Sequence, residues 1–277
     1  MVAFVSNTFV DELEAKIGIN DLAIQRGYGV FDFFRTQHYV PLFLDDYLDR
    51  FYHSANILRL AIPHSKEEMV SIILELIKRN EIATSGIRMV LTGGYSEDSY
   101  HIERPNFIIT QKPIELPSEE IFLKGLNIIT HDYKRELPAI KSINYLTGIY
   151  LQQKISESKA DEVLYKNKGN ILEFPRANVF IVTENDSVVT PADGVLYGIT
   201  RKKVFEIAQE KYHVEQRAIT MDELHRAKEV FLTSTTKRIL PVMCIDGKKV
   251  SSGEAGEVTK SLFHSFLQME NAHLGHG

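Results

Sequence analysis

Ile140-Lys141-Ser142-Ile143-Asn144-Tyr145-Leu146 is the stretch on which the reading of this chain turns. A lysine follows an apolar, strand-like residue and stands at the entrance of a helical pattern from about Tyr145 to Ser158. The ordinary reading of such a lysine is a surface residue near a helix start. The alternative is an amine held in a desolvated place. Burial disfavours the ammonium form, and a free amine can attack a carbonyl. The lysine alone does not decide between the two, so its neighbours along the chain must.

Downstream lie three segments of the same ambiguity. Glu173, in Leu172-Glu173-Phe174-Pro175, is either a solvated glutamate or a buried one that needs a cationic partner. Gly198-Ile199-Thr200-Arg201 opens a helix that runs to about Lys211. Its threonine reads as an ordinary N-cap, or the helix start binds a phosphate through unpaired N–H groups and the positive dipole end. Thr233-Ser234-Thr235-Thr236 ends an apolar strand with four hydroxyls, a hydroxyl-rich strand terminus or a set of donors for phosphate oxygens.

Further out, strands are expected at 30–35, 40–44, 86–91 and 106–109, and helices at about 45–60 and from Pro63 onward. Ser65 and Glu68 form a capping-box pattern, followed by an apolar stripe at Met69, Ile72, Ile73, Leu76 and Ile77. The proline-bearing stretch around 113–120 lacks periodicity and reads as a linker between a small domain over 1–112 and a larger one over 121–277. Beyond it, strands at 126–130, 162–165, 178–182, 230–233 and 242–245 alternate with helices, the last starting near Gly256. The alternation in both halves predicts a two-domain, mixed α+β chain.

Composition sets bounds. The 277 residues are 44% hydrophobic and 25% charged, ordinary for globular protein. A formal charge of −5 gives no global attraction to nucleic acid or to an anionic membrane surface, so any phosphate needs a local site. Apolar stretches are shorter than the ~20 residues a membrane-spanning helix needs. No secretory signal pattern is read in the first thirty residues, and a single cysteine, Cys244, expected to be a buried and inert thiol, excludes an internal disulfide. The expectation is a cytoplasmic protein. No metal site is expected: the ten histidines form no helical pair, and His273 and His276 fall in a glycine-containing tail. A strained Gly-x-Ser-x-Gly elbow and a Walker loop are also missing.

The order and spacing of these segments resemble the fold-type IV pyridoxal-phosphate family, which contains branched-chain and D-amino acid aminotransferases and aminodeoxychorismate lyases. The resemblance runs from about Asp21 to Gly247. It is carried by Arg26-Gly27-Tyr28-Gly29-Val30-Phe31-Asp32, Leu48-Asp49-Arg50, Lys141-Ser-x-Asn, Glu173 with Asn178-Val179-Phe180, Gly198-Ile-Thr-Arg201, and Thr233-Ser-Thr-Thr236.

That resemblance implies a small N-terminal α/β domain and a larger C-terminal pseudo-barrel, with pyridoxal 5'-phosphate at their interface. Lys141 is the implied catalytic residue: it carries the cofactor covalently and moves a proton between substrate Cα and cofactor C4′. Glu173 holds the pyridine nitrogen. Arg50, Ile199, Thr200, Ser234 and Thr235 match the phosphate cup, and Tyr145 and Asn178 are supports. Phe31, Phe33, Arg35, Arg88 and Thr236 are the implied substrate residues; alternation along the strand puts Phe31, Phe33 and Arg35 on one face. The implied activity is ping-pong aminotransfer between an amino acid, branched-chain-like and L in the leading reading, and a 2-oxo acid. A D-amino acid enzyme and a pyruvate-eliminating lyase are the alternatives. A homodimer is implied, with the loop from Thr92 to Pro105 reaching a neighbour's site.

The chain departs from the family pattern in several places. Asp32 and Phe33 stand for Glu and Gly, and Tyr47 for a common histidine. Phe174, Arg176, Lys237 and Arg238 replace smaller or differently charged residues. Arg176, Lys237 and Arg238 are either surface charges or signs of an acidic substrate.

Overall fold

A computed structural model describes residues 1–275. The chain divides into two compact units, one of Met1–Glu115 with Ile140–Asn144, the other of Leu116–Ala139 with Tyr145–Gly277.

The first unit is built on an antiparallel sheet. Its elements are β1 (Val2–Val5), β2 (Thr8–Asp11), α1 (Leu22–Arg26), β3 (Gly29–Gln37), β4 (Val40–Pro41), α2 (Leu44–Ile57), α3 (Lys66–Asn80), β5 (Ser85–Thr92) and β6 (Phe107–Pro113). The strands lie in the order β2-β1-β6-β5-β3-β4. In α3, Ser65 and Glu68 close a capping box, acidic residues fill the first turn and basic ones the last, and Met69, Ile73, Leu76 and Ile77 are buried. Tyr47, Leu48, Phe51 and Ala55 form the buried stripe of α2. The strand expected at 40–44 stops at Pro41. Proline donates no hydrogen bond to a ladder, and Phe43 takes a left-handed conformation (φ 55°) that turns the chain into α2.

The second unit contains α4 (Glu119–Lys124), β7 (Leu126–Asp132), α5 (Leu146–Tyr150), α6 (Gln152–Glu157), β8 (Glu162–Asn167), β9 (Asn170–Ile171), β10 (Asn178–Val182), β11 (Val188–Thr190), α7 (Ile199–Gln209), β12 (Val214–Gln216), α8 (Met221–Arg226), β13 (Glu229–Ser234), β14 (Arg238–Ile245), β15 (Lys248–Lys249) and α9 (Glu257–His273). Its sheet runs β12-β11-β10-β13-β14-β7-β8-β9, with β15 beside β14. The pairs β11–β12, β14–β7 and β7–β8 are parallel, and the other pairs are antiparallel. This mixed, curved sheet is the half-barrel that the sequence reading anticipates. Val179, Ile181, Val230, Leu232, Leu240 and Val242 line its core.

Four further sequence readings need correction. The helix expected over 145–158 is two short helices meeting at Leu151, where ψ relaxes to −5°. Lys141 is not at a helix entrance. It lies in an extended segment that pairs with β3 through Ser142 opposite Val30, with Phe31 N–H donating to Lys141 O at 2.9 Å. Cys244 is partly exposed rather than buried. His273 closes α9 rather than lying in a tail, and His276 is outside the described residues.

Candidate active site

Strand β3 organises the first unit's share of the candidate residues. Its alternation separates two faces. Val30, Asp32 and Phe34 are fully buried, and Asp32 meets Arg50, which α2 presents. The pair is bidentate: Arg50 Nε donates to Asp32 Oδ2 at 2.9 Å and an Nη to Oδ1 at 2.6 Å. Tyr47, one helical turn before, lays its ring 5.3 Å from the same guanidinium. Asp32 and Tyr47, two departures from the family pattern, thus fix the direction of Arg50.

The opposite face carries Phe31, Phe33 and Arg35. The Lys141 Nζ sits 4.7 Å from the centre of the Phe31 ring, and the Arg88 guanidinium sits 5.2 Å from it on β5. Arg88 also lies 5.8 Å from the Phe33 ring. The structure therefore gathers Lys141, Phe31, Phe33 and Arg88, and the segment of Lys141 is further tied by its backbone N–H to Ser54 Oγ at 3.3 Å. Phe33 leans across the strand over Gly86, where a Cβ would stand 2.2 Å from the ring tip. Arg35 is buried farther along β3, opposite Gly86.

The loop between β5 and β6 starts and ends on buried Asp21. Its Oδ2 accepts from Thr92 Oγ1 and Asn106 Nδ2, both at 2.7 Å. Inside the loop, Asp98 accepts from the backbone N–H groups of Tyr100 and His101 and from the His101 ring. The His101 hydrogen bonds hold the Asp98 carboxyl well below the ordinary aspartate range.

In the second unit, Glu173 is 4% exposed. Its Oε1 accepts from Arg135 Nε at 2.7 Å, and its Oε2 accepts from the Leu196 N–H at 2.8 Å. The cation that a buried Glu173 requires is therefore Arg135, which the sequence reading did not single out. No spacing rule links two residues 38 positions apart, so no local signal could have found it. Asn178 Nδ2 donates to the Leu196 carbonyl at 2.7 Å. Glu173 and Asn178 together clamp both backbone groups of Leu196, two residues before Gly198.

Gly198 is the N-cap of α7 and supplies no side-chain cap. Glycine is required there by packing: a Cβ would come 2.2 Å from Asn178 Oδ1. The first-turn residues Ile199 and Thr200 are buried. Arg201 faces inward, bonding Thr190 Oγ1 and the Pro191 carbonyl, and burial pushes its pKa down. Thr233, beside Asn178 in the β10–β13 ladder, buries a hydroxyl with no hydrogen-bond partner among the described residues. Ser234 Oγ accepts from the Lys237 N–H at 3.1 Å and closes the β13–β14 turn, in which Thr235 is half-buried and Thr236 exposed.

The unusual basic residues of this unit have internal partners. Lys237 and Arg176 both reach buried Glu162, at 3.2 Å and 3.8 Å, and Arg238 pairs with buried Glu270 at 2.7 Å. Phe174 belongs to the half-barrel core. Tyr165 is buried, and burial first, then Tyr133, Glu162 and Glu173, raise its pKa above the ordinary tyrosine value. Among the described residues no group of His, Cys, Asp and Glu could hold a metal ion, and no helix is long and apolar enough to cross a membrane.

Comparison with known proteins agrees with this geometry. A putative branched-chain-amino-acid aminotransferase of Methanocaldococcus jannaschii is 32% identical, the match covering 96% of this chain and 95% of that protein. A D-alanine aminotransferase of Bacillus licheniformis is 31% identical over 95% and 94%. Among solved structures, a T.th. branched-chain amino acid aminotransferase with pyridoxamine 5'-phosphate superposes with a TM-score of 0.91, at 28% identity and over 100% and 95% of the two chains. The family described as amino-transferase class IV matches residues 29–245, from the first residue of β3 to the last of β14. With the fold, the ordered segments and this match in agreement, the chain belongs to the class IV aminotransferases.

Proposed function

We propose that the protein is a pyridoxal 5'-phosphate-dependent aminotransferase that moves an amino group between an apolar, branched-chain-like L-amino acid and a 2-oxo acid by a ping-pong mechanism. One observation carries the cofactor reading. Within the second unit, Leu196 joins a fixed, buried carboxylate, Glu173, to the uncapped N-terminus of α7. A carboxylate suits a protonated pyridine nitrogen, and an uncapped helix start suits a phosphate. The partnerless hydroxyl of Thr233 and the close approach allowed by Gly198 fit the same use. Ile199, Thr200, Ser234 and Thr235 supply further donors, and Arg50, aimed by Asp32, supplies charge from the first unit.

When bound, the cofactor supplies an electron sink that stabilises negative charge at the substrate's Cα. Lys141 would hold the cofactor covalently and, as a free amine, would carry the proton from the substrate's Cα to the cofactor's C4′. Glu173 keeps the ring nitrogen protonated. Phe31 and Phe33 give the substrate side chain an apolar wall and exclude water, and Arg88, stacked on both rings, holds a carboxylate. Arg35, buried on the same face of β3, backs that wall, and Thr236 is a further candidate for the substrate.

We further propose a homodimer located in the cytoplasm. Leu146, Ile149 and Tyr150 expose one apolar face of α5, which supports a subunit contact. Tyr100 and Ile102, exposed in the loop between β5 and β6, suit the contact implied for that loop.

A D-amino acid enzyme is the second reading, favoured by the likeness to a D-alanine aminotransferase at 31% identity. The test is a half-reaction screen. Protein loaded with pyridoxal phosphate is mixed with single L- and D-amino acids, and loss of the visible band is followed. Branched-chain L-amino acids should bleach the band fastest. Bleaching by D-amino acids alone selects the second reading. Pyruvate released without a 2-oxo acid acceptor selects a lyase.

A further inference from the structure

Arg201 is 4% exposed and lies in the opening turn of α7. Its guanidinium is held by neutral acceptors. Nε donates to Thr190 Oγ1 at 3.2 Å, and one Nη donates to the Pro191 carbonyl at 2.9 Å and to Gln216 Oε1 at 3.2 Å. The Tyr197 ring lies 5.4 Å away. Among the described residues Arg201 forms no ion pair. A cation at that depth is rarely left so, because removing a charge from water is costly unless an anion answers it.

The surroundings do not answer it. Burial pushes the Arg201 pKa down, and the groups that oppose this are Tyr197 and Glu173. The Glu173 carboxylate is already bound by Arg135 Nε at 2.7 Å. One carboxylate between two guanidiniums leaves one positive charge over. Helix α7 adds to the surplus. Its first turn holds no acidic residue, and Lys202 and Lys203 follow Arg201 at the end where a helix dipole favours anions. The backbone N–H groups of Ile199, Thr200 and Arg201 find no acceptor among the described residues. Three free donors and an unanswered buried charge thus coincide at one helix start.

We propose that Arg201 sets the protein's requirement for a phosphorylated cofactor: its buried, unpaired charge biases the start of α7 toward a dianion, so that pyridoxal phosphate is taken and unphosphorylated pyridoxal is not. The inference rests on the cofactor reading above and adds to it a positioning residue. The Arg201 side chain is spent on acceptors at the ends of β11 and β12, and it acts on the phosphate through its charge.

The test compares two ligands that differ only in the phosphate. Full-length protein stripped of cofactor is titrated with pyridoxal phosphate and with pyridoxal, and binding is read from the visible band. In Arg201→Met, affinity for pyridoxal phosphate should fall roughly tenfold, the scale of one poorly screened charge, while affinity for pyridoxal changes less than about twofold. Arg201→Lys, which keeps the charge, should retain most of the preference. Gln216→Glu keeps Arg201 in place and gives it the carboxylate it lacks, so it applies even if Arg201→Met does not fold. It should weaken pyridoxal phosphate and spare pyridoxal in the same way. An equal loss for both ligands means that Arg201 only holds the fold, and it overturns the proposal; so does unchanged affinity for pyridoxal phosphate in Gln216→Glu. Wild-type protein that binds no pyridoxal phosphate sinks the cofactor reading itself, and the inference with it.

Discussion

Glu173 and Arg135 show how much rests on single side chains. A buried carboxylate paired through a 2.7 Å hydrogen bond is costly to expose to half its environment. Arg135→Met should lower unfolding free energy by about 3–5 kcal/mol, read from urea denaturation. Glu173→Gln in the same background should return most of that loss, because the uncompensated charge is gone; no recovery would mean that Arg135 acts elsewhere. Tyr165 yields a pH prediction. Its folded pKa lies above the unfolded value of 10.0, so its contribution is complete below pH 10 and is lost as pH rises from there toward the raised folded value. Tyr165→Phe should flatten the alkaline decline in thermal stability; an unchanged slope would contradict the assignment. At this scale the sequence exposed the residues of the candidate site but not their partners. Glu173 could be marked as needing a cation, yet Arg135, Leu196 and Glu162 are brought to their roles only by folding across tens of residues.

Among elements, legibility followed local chemistry. The start of α3 was readable because Ser65 and Glu68 satisfy each other within one turn, and β3 because the aromatic-rich run over 30–35 reads as a strand. Short elements such as β1 and β2, four residues each, carry too little periodicity to register. The extended pairing of Lys141 was hidden because its partner, β3, lies more than a hundred residues earlier. Two substitutions test the elements that shape the candidate site. Gly198→Ala places a Cβ 2.2 Å from Asn178 Oδ1 and must shift the start of α7. Its affinity for pyridoxal phosphate, titrated on the stripped protein, should fall roughly tenfold, the effect of misplacing an anion site by a fraction of an ångström. Gly86→Val drives the Phe33 ring off β5. The KM for branched-chain donors should rise with cofactor affinity unchanged, and an unaltered KM would remove Phe33 from the substrate wall.

For the whole molecule, composition and alternation already indicated two mixed α and β units, and the six ordered segments indicated the family. A net charge of −5 gave no global pull toward nucleic acid or an anionic membrane surface but could not tell which cations are paired inside the protein; Lys237 pairs with Glu162 and Arg238 with Glu270. Assembly is tested at the same scale. Leu146→Lys with Ile149→Lys should shift the protein toward monomer in sedimentation, and an unchanged sedimentation coefficient would place the contact elsewhere. The central claim is that Lys141 carries pyridoxal phosphate, and borohydride reduction of the purified, cofactor-loaded protein tests it most directly. The account predicts that the visible band disappears and that peptide mass analysis finds the phosphopyridoxyl adduct on Lys141. A stable adduct on another lysine, or none at all, would contradict it.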